Sequence, residues 1–144
     1  MLTSTAFNWL HRLVTLLLLA IVTGFIWLNS IPDYRSDDVL QDSHQITDRL
    51  WLYTTRNESG GATVPIIYRY FLSNQLKGNS KAQAEQLKQQ MPFLQGYGSI
   101  SAITQEEGDK IHIIYSGNVL SLDRTATYRD GGRPVTLNLS YQIN

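Results

Sequence analysis

Three histidines, His11, His44 and His112, are the side chains best suited to acid–base or metal chemistry, and they lie in three separate segments. A metal site needs several nitrogen, sulfur or carboxylate ligands converging on one point. Only His44 and His112 fall on the same side of a long apolar run, so no metal ligand is assigned. The chain has no cysteine, which excludes a thiol nucleophile, a disulfide and a cysteine-bound metal. Its serines form neither a G-x-S-x-G elbow nor an S-x-x-K arrangement; Ser80-Lys81 and Ser121-Leu122-Asp123 fit neither pattern. There is no P-loop and no G-x-G-x-x-G, and Gly60-Gly61 and Gly131-Gly132 read as hairpin glycines.

A carboxylate pair would have to come from Glu106, Glu107, Asp109, Asp123 and Asp130. Four of these five fall where turns are expected, and acids in turns ordinarily serve solubility and local backbone bonding. No catalytic residue and no cofactor is therefore assigned. The formal net charge is zero, from 12 basic and 12 acidic side chains, so nucleic acid is not implied as a partner.

One stretch exceeds an ordinary strand composition: Tyr68-Arg69-Tyr70-Phe71, preceded by Ile66 and Ile67. Both of its faces are apolar or aromatic, and Arg69 interrupts one of them. Arg124 likewise interrupts the face shared by Leu120, Leu122, Ala126 and Tyr128. On the structural reading these guanidiniums pair with carboxylates while their stems cover apolar area. On the functional reading Tyr68, Arg69, Tyr70, Phe71, Tyr97 and Arg124 mark a docking surface, because Tyr and Arg are enriched where proteins bind one another.

These residues must be held by strands and one helix. Leu50 to Arg56 and Val64 to Leu72 are rich in aromatic and β-branched residues and read as two strands, with a turn at Asn57-Glu58-Ser59-Gly60-Gly61. Ser80-Lys81-Ala82-Gln83 has the form of a capping box, and Ala84, Leu87, Met91 and Leu94 recur at helical spacing. A helix over 81–91 follows, closed by Pro92, with Leu87 and Met91 facing a sheet.

Beyond Gly98 the pattern alternates by twos, most cleanly where Val135, Leu137, Leu139, Tyr141 and Ile143 oppose Thr136, Asn138, Ser140 and Gln142. Turn sequences at 106–109, 116–118 and 130–132 then suggest a meander of about four antiparallel strands. The order is ββαββββ. It makes an α+β domain, an antiparallel sheet of about six strands with one packed amphipathic helix and a wet outer face.

Ahead of this domain, residues 13–32 contain no ionisable side chain. As a helix they span about 30 Å, the thickness of a bilayer's hydrocarbon core. Eleven residues between Leu13 and Leu28 are Leu, Ile, Val or Phe, and each favours insertion by roughly 0.3 to 0.6 kcal/mol near the centre. Trp9 and Trp27 suit the two lipid–water boundaries.

Arg12 precedes the run and an acidic stretch follows it, which places a short tail, 1–12, in the cytoplasm and the C-terminal part outside. A cleaved signal peptide is the competing reading; it wants a shorter apolar core and a small-residue cleavage site. Residues 33–47 are polar and acidic and read as a tether of at most about 50 Å, with a short helix around Val39, Leu40 and Ile46 as a further option.

The expected organisation is a tail, a transmembrane helix, a tether and an α+β domain over 48–144 in a bacterial periplasm. Two classes of function fit it. One is a non-enzymatic protein-binding module at the inner membrane, such as an immunity-type protein against a periplasm-acting toxin or an accessory subunit of an envelope complex. The other is an envelope enzyme or small-ligand binder using a cleft of carboxylates and arginine.

Overall fold

A computed structural model describes residues 2–30, 35–57 and 59–144. The chain divides into two units, residues 1–34 and 35–144. The first is a single helix, α1 (Leu2–Asn29), whose described side chains are exposed apart from the half-covered Gly24. It is long and apolar enough over Thr3–Asn29 to cross a membrane.

Two of its hydroxyls bond back one turn within the helix: Thr15 Oγ1 donates to His11 O at 2.8 Å and Thr23 Oγ1 to Leu19 O at 2.7 Å. Helical structure begins ten residues or so before Leu13, because Thr3 to Arg12 contains neither proline nor glycine to stop it. Pro32 and Asp33 lie outside the described residues.

Among its described residues the second unit holds nine strands in two sheets and one helix, a mixed α+β arrangement. The first sheet contains β1 (Asp38–Gln45), β2 (Trp51–Asn57), β3 (Tyr68–Ser73), β4 (Leu94–Gly96) and β7 (Val119–Leu122), side by side in that order. The second has the order β5 (Ser99–Gln105), β6 (Lys110–Ser116), β9 (Arg133–Ile143), β8 (Thr125–Asp130). Helix α2 (Ser80–Lys88) packs on the first sheet.

Three sequence expectations are corrected here. The expected tether is occupied from Asp38 to Gln45 by β1, antiparallel to β2, with neither an extended linker nor a short helix at Val39 and Leu40. This strand was hidden because it is an edge strand with mostly exposed side chains, and a bulge between Leu40 and Asp42 breaks its alternation. The expected meander is also replaced: β7 leaves to pair with β4, and β9 returns parallel to β6. Alternation along a strand reports which face is wet, not which neighbour it pairs with, so the six-strand count fell short.

Finally, α2 is capped by Asn79, whose Oδ1 accepts from Ala82 N at 2.9 Å, one residue before the expected box. It ends at Lys88, so Met91 lies beyond it and is exposed, while Ala84 and Leu87 face the sheet.

The main core lies between the sheets, where Leu94, Ile111, Ile113 and Tyr115 are completely buried. Each such side chain contributes on the order of 1.5 to 3 kcal/mol. A smaller cluster of Tyr53, Phe71 and Leu87 lies beneath α2. The outer face of the second sheet is polar, with Thr127 and Thr136 hydroxyls 3.0 Å apart across β8 and β9. The two-residue turn between them, Gly131-Gly132, has positive φ at both positions, 57° and 83°, the backbone that glycine adopts without strain.

Gly98 marks the crossing from one sheet to the other, and its lack of a side chain is required by close approach. A Cβ there would overlap the Ser116 carbonyl oxygen and lie 2.8 Å from Gly117 Cα, both of them backbone. Gly98→Ala is therefore expected to lower stability by about 1 to 3 kcal/mol, the range for overpacking. Gly61→Ala, which meets nothing within 4 Å, is expected to change it by less than about 0.5 kcal/mol. Urea denaturation midpoints of the two variants check this.

Candidate binding groove

The pairing of β3 between β2 and β4 decides where the aromatic–arginine stretch points. Tyr68 and Tyr70 face the second sheet, and Arg69 and Phe71 face the α2 side. Arg69 donates from Nη1 to Asp38 Oδ1 at 2.5 Å and from Nε to Gln95 Oε1 at 2.9 Å. Asn57 Nδ2 also donates to Asp38 Oδ1, at 2.8 Å, and Gln95 Nε2 to Ser121 Oγ at 3.1 Å. These five residues sit one on each strand of the first sheet and form a polar row across its whole width.

The side chains of Arg69 and Asp38 are 8% and 2% exposed. Burial therefore removes Arg69, and with it Tyr70 and Phe71, from the expected docking surface. Arg69 is an internal tie, and the physical reason is a carboxylate thirty-one residues upstream.

Arg124 is exposed in the connection between β7 and β8, away from the tyrosines that line the groove, and its carbonyl accepts from Leu139 N at 2.8 Å. Tyr68 and Tyr97 are brought together. Both line an open groove of about 740 Å³ between the inner face of β1–β3 and strand β5, and Tyr97 is 40% exposed. The groove runs from Tyr68, level with Arg56, to His44, level with Leu52. Leu52, Thr54 and Tyr70 form its first-sheet wall, and Asp42 supplies its carboxylate.

Tyr70 hydroxyl donates to Gly98 O at 3.0 Å, and Gly98 N donates to Tyr115 Oη at 2.8 Å, which fixes the start of β5. Burial, followed by the neighbouring Tyr115, pushes the Tyr70 phenol up to about 12, so it stays a neutral donor at physiological pH. Tyr141 is raised in the same direction by burial and then by Asp123.

A second hollow, between the start of β1 and α2, contains Asp37, Asp38 and Glu85. Two of its carboxylates are already engaged, Asp38 by Arg69 and Glu85 by Lys88 at 2.9 Å. The acids of the 106–109 turn and Asp123 are exposed, and Asp130 pairs with Arg49 at 3.1 Å. His112 Nδ1 lies 3.0 Å from Ser140 Oγ on the outer face of the second sheet. Among the described residues no three His, Asp or Glu side chains gather closely enough to hold a metal ion.

No family model, curated protein or solved structure matches this chain. Geometry alone carries the functional reading.

Trp9 and Trp27 are exposed on α1, 68% and 79% respectively, with Arg12 one turn from Trp9. The sequence reading missed the contribution of β5 and of Gln41, Asp42 and His44 to the groove. The signal that was present is Ser99–Gln105, seven residues without a charge or proline.

Proposed function

We propose that this chain is a membrane-anchored, non-enzymatic protein-binding module. On this reading α1 sits in a bacterial inner membrane with its N-terminus inside, and residues 35–144 stand in the periplasm. Arg12 directly precedes the apolar run and Arg35 follows it at a greater distance, and the nearer of the two supports that orientation. Confinement to a membrane raises the effective concentration of the module toward partners at the same surface. An immunity-type role against a periplasm-acting toxin and an accessory role in an envelope complex are both uses of such a module.

The observation that carries the reading is the groove: it is open, it presents exposed tyrosine, and its lining contains a single carboxylate, Asp42. An envelope enzyme or small-ligand binder is the alternative, and the observation on its side is that His44 lines the same groove as Asp42.

The test places a photo-crosslinking residue in the full chain in its native membrane, at Tyr68 or Tyr97, and in a control at Lys110. The expected result is one discrete protein adduct common to the two tyrosine positions and missing from the control. Adducts indifferent to position, or none at either tyrosine, overturn the reading.

A further inference from the structure

Each sheet has two edges, and natural proteins block such edges against further pairing with charge, proline, bulges or brevity. Three of the four edges here carry charge or brevity among those devices. Strand β1 has Asp42 and a bulge beside it, β7 is only 4 residues long, and β8 ends in Arg129-Asp130. Strand β5 is different: it is 7 residues long, contains no charge and no proline, and its bulge lies between Ile100 and Ala102, so 102–105 is regular.

The free side of β5 is also the side that borders the groove, since β6 occupies the other. We infer that the groove takes an extended segment of a partner protein, which adds to the free edge of β5 as a fifth strand of the second sheet. This inference rests on the protein-binding reading and specifies its mode.

The ladder identifies the atoms. Glu106 N donates to Lys110 O at 2.8 Å, so residue 106 bonds toward β6. Because backbone groups alternate in direction along an antiparallel strand, Thr104 and Ala102 also bond toward β6. Ile103 and Gln105 therefore turn their N–H and C=O groups outward, at the spacing that a docked strand uses; Ile103 lines the groove, and Gln105 lies just past its end, beside Thr47 to Leu50.

Such a strand lies beside half-buried Thr54 and Tyr68 and exposed Tyr97, so alternate side chains of the partner meet an aromatic rim while the others meet water. Asp42 is the carboxylate in the lining, and it selects a lysine or arginine in the segment. The partner chemistry is thus an extended, alternately apolar peptide carrying a basic residue.

The probe is a displayed library of random heptapeptides, selected on the full chain in lipid nanodiscs. The enriched peptides are expected to alternate apolar with polar residues and to favour Lys or Arg; Asp42→Asn should abolish the basic preference. Gln105→Pro deletes one outward amide and should weaken binding of an enriched peptide about tenfold, whereas Gln105→Ala, which loses the same side chain and keeps the amide, should not.

Should Gln105→Pro fail to fold, amide exchange in the unaltered protein decides: a bound peptide should protect the Ile103 and Gln105 amides. Failure to enrich any peptide, equal binding by both Gln105 variants, or no protection of those amides overturns strand addition. Common adducts at Tyr68 and Tyr97 alongside any of these failures would leave the protein-binding reading standing and remove only this mode.

Discussion

Arg69→Ala is expected to destabilise the domain by about 3 to 5 kcal/mol, the cost of leaving a buried carboxylate without its counter-charge. Asp38 has almost no solvent access, and the Asn57 amide that would remain to it is neutral. Gln95 would lose its Arg69 donor as well. The size of the loss reports the stranded charge rather than the net worth of the pair, so a double variant separates the two.

Asp38→Leu combined with Arg69→Met removes both charges and is expected to recover most of the loss, as apolar replacements of buried pairs commonly do. Arg124→Ala, at an exposed position, should change stability by less than about 0.5 kcal/mol. Urea midpoints for the single and double variants check the series. If Arg69→Ala matched Arg124→Ala, the row across the first sheet would not be the tie described above.

Leu19→Asp with Ile21→Asp is expected to release the protein from membranes. Eleven large apolar residues at roughly 0.3 to 0.6 kcal/mol each give α1 an insertion preference of several kcal/mol. An aspartate near the helix centre costs roughly 2.5 to 3.5 kcal/mol and also forfeits the contribution of the residue that it replaces, so two of them cancel the preference. Leu19→Ala with Ile21→Ala, which shortens the side chains without adding charge, should leave the protein in the membrane fraction. Fractionation after ultracentrifugation compares the two pairs.

How far the fold could be read depends on what each segment's side chains had to do. Helix α1 was legible because an uninterrupted apolar run of membrane-spanning length stands out locally in the sequence. The inner face of β9 was legible from Val135, Leu137, Leu139 and Tyr141, since one face is buried and the other wet. The glycine turns were visible because Gly108, Gly117, Gly131 and Gly132 adopt positive φ.

Strand β1 was not legible, since its pairing with β2 uses main-chain groups that composition does not report. The same limit hid the parallel β6–β9 pair and the division into two sheets. Arg69 showed this most clearly: its residue type was noticed, but its burial depends on Asp38, which reaches it only through β2. In the candidate site Tyr68 and Tyr97 were legible by residue type, and Tyr97 is exposed while Tyr68 is half-buried. The free edge of β5 was not, because being an edge is a property of strand order.

The display of residues 35–144 from a membrane by α1 is tested most directly by washing membranes with alkaline carbonate and then treating sealed cells, stripped of any outer layer, with external protease. The account predicts that the chain stays in the carbonate-washed pellet and that protease removes the domain while α1 remains. A chain released by carbonate, or a domain untouched by external protease until the membrane is opened, would contradict it.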